Sequence, residues 1–492
     1  MAAAKENCVL TLPLLTEPFQ DDILEKRFRV MEHLQNSLIA YALRRLKNLE
    51  RTRAYRELNE KIRNAADSEK KALTEQKRKM LDDAGISKDW FWRKITPMQK
   101  HFVDHVNTQI SHKLSERVWQ AFDKCLFNTG HMVHFKRRGT LSSIANKTVG
   151  NGMHLRNGWF EWNGGTSKQT IKLRIRVAPP KTEYEQEMLK QPVAHFRVVR
   201  KWAKHRYKYY LQIILKGPPV RKERAVSKGR VGIDIGTQSV AIVSANRVCL
   251  RELAEQVNDN HARILMLQQK MDRSRRAMNP GNYAENGTIR RGIKLKWEYS
   301  KHYQKLAEEV RRIQRKNADI RKYQHYCLAN EILTFGNEVY VETMNFAGLQ
   351  RRAKETAVDE RGRYKRKKRF GKSLANKAPA MLITLLDQKL ALYGGKLYRV
   401  NTWQFKASQY DHLSQKFNKK KLSERTHRTE QGDAVQRDLY SAFLLMNADR
   451  SLCSTDQKRC EETYDRFKLL HDNEIDRIRA DGKKHLSSFG IA

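Results

Sequence analysis

The chain is short of acid. Its 492 residues carry 54 Asp and Glu against 98 Lys and Arg, a formal net charge of +44. A chain this basic repels itself unless a polyanion neutralises it, which excludes an ordinary metabolic enzyme as the starting reading. Cysteine is also scarce: six residues stand alone at positions 8, 125, 249, 327, 453 and 460, with no CxxC pair. That excludes a disulfide scaffold and points to free thiols in a reducing compartment. No apolar run approaches the ~20 residues of a spanning helix, so no membrane partner is expected. The short apolar stretch Val9–Leu15 is interrupted by Pro13 and followed by Glu17, Asp21 and Asp22, so it is not read as a signal peptide. Apolar residues still make up 39% of the chain, enough for real cores and against wholesale disorder. The length suits about three domains. Nucleic acid is the simplest polyanion that fits. An anionic membrane surface is the weaker rival, because the charge runs through the whole chain rather than one amphipathic helix.

Glycine and proline are nearly missing between Gln20 and Thr129, where only Gly85 and Pro97 occur. Leu24, Phe28, Met31, Leu38, Ala42, Leu46 and Leu49 recur at helical spacing, so 21–129 is expected to be helical. Its polar face is basic (Arg44, Arg45, Lys47, Arg51, Arg53) and is read as facing nucleic acid. Trp90, Phe91 and Trp92 are read as core of this region, with base stacking or a duplex wedge as the other option. From Gly130 the texture changes. Gly139, Gly150, Gly152, Gly158, Gly164 and Gly165 crowd together, then Ile171, Leu173, Ile175 and Val177 alternate with Lys172, Arg174 and Arg176. Strand side chains alternate faces, so one face is apolar and the other basic. With Phe196–Val199, Tyr207–Leu215 and Val9–Leu12, segments 1–20 and 130–220 are expected to form an antiparallel β-barrel with the helices as an insertion. Residues 221–228 read as a linker.

Beyond Gly229 the pattern is α/β. Val231–Asp234 and Val240–Ser244 read as strands around a tight turn. Leu253–Leu333 reads as helical, broken at Asn279-Pro280-Gly281. Glu338–Val341 and Leu397–Val400 read as buried strands, Ala380–Leu392 as a helix, and Cys453–Ser487 as a charged helical tail.

The informative residues here are acids. Asp234 ends an apolar strand before a glycine turn, Glu342 ends another strand, and Asp438 sits on an expected helix with Phe443 and Leu444 facing inward. A carboxylate buried at a strand end is costly without a compensating cation. Three carboxylates from separate elements suit two Mg²⁺ ions about 3.5–4 Å apart, one activating water and the other steadying the leaving oxygen of a phosphodiester. Taken singly, an Asp before Gly reads as a turn residue and a Glu at a strand end as a solvated edge. The order of the three in these contexts tips the reading.

Those segments resemble the split RuvC nuclease of transposon-encoded TnpB proteins and compact type V CRISPR effectors. Lys208-Tyr-Tyr-Leu-Gln-Ile-Ile-Leu resembles the last strand of that family's wedge domain. Leu267-Gln-Gln-Lys-Met-Asp-Arg-Ser-Arg-Arg resembles its basic helix, and Ala407-Ser408-Gln409 a short motif after its last sheet strand. The likeness covers most of the chain. It implies an α+β multidomain protein: a β-barrel wedge domain (1–20 and 130–220), a helical recognition domain (21–129), and an RNase H-like RuvC nuclease lobe (229–402 and 437–492). Asp234, Glu342 and Asp438 would be catalytic and hold two Mg²⁺ ions, with Mn²⁺ as a substitute. Guide RNA and target double-stranded DNA would be the partners, in the cytoplasm of a prokaryotic cell, with monomer and homodimer both open. Guide pairing then reads sequence, while the protein reads heteroduplex shape and a short flanking motif.

The sequence departs from the family in two places. Many members carry a four-cysteine zinc ribbon before the third acid. Here Asp411, Ser414, His427 and Glu430 stand near those positions, and no cysteine lies between Cys327 and Cys453, which excludes thiolate zinc. The insert 403–436 is expected to fold by other contacts, with Lys419–Lys421 on nucleic acid; a His/Asp/Glu metal site is the other option. The third motif usually reads Arg-Asp-x-Asn-Ala-Ala, and here Tyr440 and Ser441 replace Asn and the first Ala, with Asp433 as a fallback ligand. The basic run Arg351–Lys372 is read as a loop near the site that holds the substrate strand.

Three other readings stay open. A catalytically silent RNA-guided repressor would bind without cutting. Ile233-Asp-Ile-Gly-Thr-Gln-Ser-Val also resembles the phosphate turn of actin-like-superfamily sugar kinases, but no second such turn is found. A strand-transfer transposase would use the same metal chemistry without a guide.

Overall fold

A computed structural model of the chain describes residues 7–491 except 128–129, 131, 151, 165–169, 204–205, 352, 357, 359, 361, 365–369, 422–423 and 483–484. Gly165 and much of the basic run Arg351–Lys372, 365–369 above all, therefore lie outside the described residues. The chain forms two compact units, Met1–Lys222 and Glu223–Ala492, divided inside the expected linker. Both mix helices and sheets. Among the described residues no helix is long and apolar enough to cross a membrane.

In the first unit, β1 (Asn7–Leu15) leads into five helices: α1 (Pro18–Glu50), α2 (Arg53–Asn64), α3 (Asp67–Asp83), α4 (Lys88–Lys100) and α5 (Thr108–Phe127). Strands β2 (Ser143–Ala145), β3 (Met153–Arg156), β4 (Trp159–Asn163) and β5 (Lys172–Val177) follow, then α6 (Glu183–Leu189), β6 (Val193–Ala203) and β7 (Arg206–Lys216). The sheet order is β2-β6-β7-β1-β5-β4-β3. Strand β1 pairs with β7 through Asn7–Pro13 and with β5 at Leu14 and Leu15, so it stitches two halves of the sheet together. The expected barrel is corrected here. Closure needs the outer strands to pair, and the outer strands β2 and β3, three and four residues long, do not pair with one another among the described residues.

Alternation on β5 turns Leu173, Ile175 and Val177 inward and Lys172, Arg174 and Arg176 outward. Helix α1 docks on this sheet through Arg27, fully buried, whose guanidinium donates to the Trp162 and Ile171 carbonyls at 2.6 and 2.7 Å. Burial pulls that guanidinium down to about 9. Phe91 is fully buried and Trp90 packs against it, so these two are core, while Trp92 is half-buried, stacked near His112 with Lys88 and Lys147 over its ring. Arg45 is a packing residue as well: it donates to Ala84 and lies over the Tyr41 and Trp90 rings.

The second unit begins with β8 (Arg230–Ile235), β9 (Ser239–Ser244) and β10 (Val248–Glu252). Helices α7 (His261–Met278) and α8 (Lys301–Ile332), strand β11 (Glu338–Glu342), and helices α9 (Phe346–Leu349), α10 (Gly371–Lys377) and α11 (Pro379–Leu392) come next. Strand β12 (Lys396–Val400) and the single turn α12 (Thr402–Phe405) lead to two small hairpins. These are β13 (Tyr410–Asp411) with β14 (Lys416–Phe417), and β15 (Thr426–Arg428) with β16 (Ala434–Gln436). Helices α13 (Arg437–Met446) and α14 (Gln457–Ala480) close the unit. The expectation of helix through Leu253–Leu333 fails at 253–260, which form turn and irregular backbone, and between Tyr283 and Ser300, where Gly287 and Gly292 take φ of +73° and +81°. Left-handed backbone there stops a right-handed helix.

The sheet order is β10-β9-β8-β11-β12, antiparallel from β10 to β8 and parallel from β8 to β12. Val231, Ile233, Val339 and Val341 face one core, with Leu328, Ile332, Leu382 and Leu386 of α8 and α11. Tyr340 and Val400 face the other, with Leu439, Phe443 and Phe467 of α13 and α14.

Candidate metal centre

Side chains two apart on a strand share a face. Val231 and Ile233 face the α8–α11 core, so Gly232 and Asp234 face α13. Likewise Val339 and Val341 face α8–α11, and Tyr340 and Glu342 face α13. Strands β8 and β11 are adjacent and parallel, with Val341 opposite Ile233, so Asp234 and Glu342 come one residue further on neighbouring strands. Neighbouring strands lie about 4.8 Å apart. The carboxyl ends of parallel strands are where α/β sheets place their ligands.

Asp438 reaches the same place from α13. The helix lies directly on Gly232: a Cβ there would stand 1.9 Å from the Ala442 carbonyl oxygen and 2.3 Å from the Met446 nitrogen. Only glycine permits that approach. Ala442 is one turn beyond Asp438 and Gly232 two residues before Asp234, so the acid on the helix lies toward the acid on the strand. Gln436 caps the helix by accepting from Leu439 N–H at 2.7 Å, which sets Asp438 in the first turn.

Asp234 registers this convergence. Its carboxyl is raised well above the ordinary carboxylate range, first by burial, then by the charges of Asp438 and Glu342, with Arg437 acting the other way. Glu342 is pushed up to about 7 by burial, and an N–H donated by Ala407 opposes that rise. Ala407 opens the Ala407-Ser408-Gln409 motif, so that segment orients the strand-end acid. Arg437 lies within 3.4 Å of Asp438 and donates to the Glu424 carbonyl at 2.9 Å, tying the insert to the third acid. Sequence reading missed Arg437 as a site residue, although its place beside Asp438 was visible. The donor set is all carboxylate oxygen, which fits Mg²⁺ or Mn²⁺, and a cation would relieve the crowding at Asp234. Among the described residues, no three His, Cys, Asp or Glu side chains lie in a metal-holding geometry as they stand.

The fallback ligand Asp433 has its carboxylate accepting from the Tyr464 hydroxyl at 3.0 Å. The positions of the missing zinc ribbon hold a polar core instead. His427 Nε2 stands 3.1 Å from Asp411 Oδ2, with both side chains at most 5% exposed. Lys420 meets Nδ1 of the same ring. Asp411 Oδ1 also accepts the N–H groups of Leu413 and Ser414. Tyr440, the departure from the third motif, stacks on His427 at 4.0 Å, and its hydroxyl accepts His412 N–H at 3.1 Å and meets His412 Nδ1 at 2.6 Å. The Tyr440 hydroxyl, the Lys420 ammonium and backbone N–H groups take up much of the polar capacity of this cluster, while His412 Nε2 and His427 Nε2 are buried without a hydrogen-bond partner among the described residues. Lys420 turns to this core, leaving Lys419 and Lys421 exposed.

No family model and no curated protein matches the chain. Among solved structures it is similar to a Cas12f1–sgRNA–target DNA complex, with 14% identity over 90% of this chain and 99% of that one, at a TM-score of 0.42. It is also similar to a CRISPR-Cas12f ternary complex (14% identity, 87% and 82% covered, TM-score 0.27). A third is the Cas12i1 R-loop complex after target DNA cleavage (9% identity, 94% and 64% covered, TM-score 0.24).

Proposed function

We propose that this chain is an RNA-guided DNA endonuclease of the TnpB and compact type V effector kind. Its RuvC-like lobe, 229–402 and 437–492, hydrolyses a phosphodiester of target DNA beside a short flanking motif. The observation that carries the catalytic part is geometric: Asp234 and Glu342 end adjacent parallel strands, and helix α13, which bears Asp438, lies directly on Gly232 two residues before Asp234. Arg437 is the cation beside these acids, within 3.4 Å of Asp438, yet burial and the neighbouring carboxylates still raise Asp234, a crowding that a divalent cation would relieve. Asp234, Glu342 and Asp438 would hold two Mg²⁺ ions, or Mn²⁺, which supply a nucleophilic water and leaving-group stabilisation. Ala407 orients Glu342, and Arg437 steadies Asp438. Guidance by RNA rests on the resemblance of the ordered segments, with the basic outward face of β5 suited to backbone phosphates.

The silent RNA-guided binder is the second reading, favoured by the open geometry of the three carboxylates. One experiment separates them. RNA that co-purifies with the chain is sequenced, and a plasmid matching it is incubated with the complex and Mg²⁺. Cutting that Asp234→Ala abolishes while binding persists supports the nuclease; binding without cutting by the wild type supports the repressor.

A further inference from the structure

Among the described residues, Trp403 is the most exposed large apolar side chain, at 87%. It stands on α12, a turn fastened on both sides to the strand end that bears Glu342. Ahead of it, Thr402 Oγ1 donates to the Thr343 carbonyl at 3.1 Å. Behind it, Phe405 is buried, and Ala407 N–H reaches the Glu342 carboxylate. Asn401 caps the turn, its side chain accepting from Trp403 N–H at 3.1 Å. The backbone at Trp403 is therefore fixed while its indole is open to water.

Leaving a large aromatic surface wet forgoes its burial, and a fixed aromatic loses little freedom when something covers it. Nothing in the local fold needs the indole there, since Phe405 already anchors the turn. Beside it, Lys406 lies 5.7 Å over the ring of Phe417, itself 54% exposed, so a cation and a second aromatic share this rim. An exposed aromatic with a neighbouring cation is how proteins grip single strands: the ring stacks on a base and the cation meets the backbone.

We propose that Trp403 is a stacking platform for one unpaired base of the DNA strand led to Asp234, Glu342 and Asp438. This rests on the proposed nuclease reading. It assigns α12 a role in holding substrate beside the acids, independent of base identity because every base has a π-face.

The test uses the full chain with its guide and single-stranded DNA carrying 2-aminopurine, with cleavage kinetics on the same strand. Trp403→Ala is expected to raise Kd and KM for the strand about tenfold, within the range for losing one base–aromatic stack, while kcat falls no more than about twofold. Trp403→Phe restores most of the affinity, and stacking quenches 2-aminopurine emission in the wild type but not in Trp403→Ala. Unchanged Kd and quenching in Trp403→Ala overturn the proposal. So does a fall in kcat at unchanged KM, which marks damage at Glu342, or a change of oligomeric state alone, which marks a contact between copies. A wild type that neither binds nor cuts guide-matched DNA fails the nuclease reading itself, and the proposal falls with it.

Discussion

A β-carbon on Gly232 would stand 1.9 Å from the carbonyl oxygen of Ala442, so strand β8 and helix α13 touch backbone to backbone. The same contact sets Asp438 against Asp234. Gly232→Ala must push the helix away. The expected cost is about 1–3 kcal/mol of stability or more, together with a drop in Mg²⁺-dependent cleavage far larger than that destabilisation explains. Denaturant unfolding and cleavage rates on one preparation check this; an alanine variant with wild-type stability and rate would show that the contact is dispensable.

Asp234 carries a cost that a metal-free protein feels. Its folded carboxyl is raised, so its contribution is present at low pH and lost as pH rises through the folded value. Without divalent ions, Asp234→Asn is expected to be more stable than the wild type at pH 8 and to lose that advantage at about pH 3.5, below the ordinary carboxylate value. It also loses cleavage. Thermal unfolding in chelator at both pH values is the measurement, and an Asn variant less stable at both would contradict the crowding.

The insert is expected to respond to acid. Burial first, then the Lys420 charge, pull His427 from 6.5 to about 4, so the ring is neutral in the folded chain. The unfolded chain takes up the proton first. Stability falls as pH drops below about 6.5 and levels near 4, by an amount on the order of 1–3 kcal/mol. His427→Gln, which keeps a donor toward Asp411, is expected to flatten the slope of melting temperature between pH 7.5 and 5. Equal slopes would remove His427 from the acid response.

The same core predicts independence from zinc. Metal analysis of the purified chain is expected to find no stoichiometric zinc, and strong chelators are expected to leave the melting temperature unchanged. Tyr440→Phe, which removes the hydroxyl that meets His412, is expected to destabilise by about 1–3 kcal/mol. Zinc at one equivalent per chain would contradict the hydrogen-bonded core.

How much of this could be read from residues alone follows from range. Asp234 and Glu342 were legible because each ends a short apolar run, and strand periodicity is local. Asp438 was legible because Phe443 and Leu444 mark the inner face of its helix. Strand β10 was missed because Val248–Glu252 is a short edge strand that ends in two charged residues, Arg251 and Glu252. Whether the first sheet closes depends on pairing between β2 and β3, which no local pattern encodes. Tyr440 looked like a defect in a motif, and only folding brings it to His412 and His427, 28 and 13 residues earlier in the chain. Trp403 gave no signal, because a tryptophan in sequence reads as core.

The central claim is that Asp234, Glu342 and Asp438 share divalent ions. Anomalous scattering from crystals grown with Mn²⁺ tests it most directly. The prediction is two manganese peaks bridged by the three carboxylates in the wild type, and loss of at least one in Asp234→Ala. Wild-type crystals at saturating Mn²⁺ with no peak among these acids would contradict it.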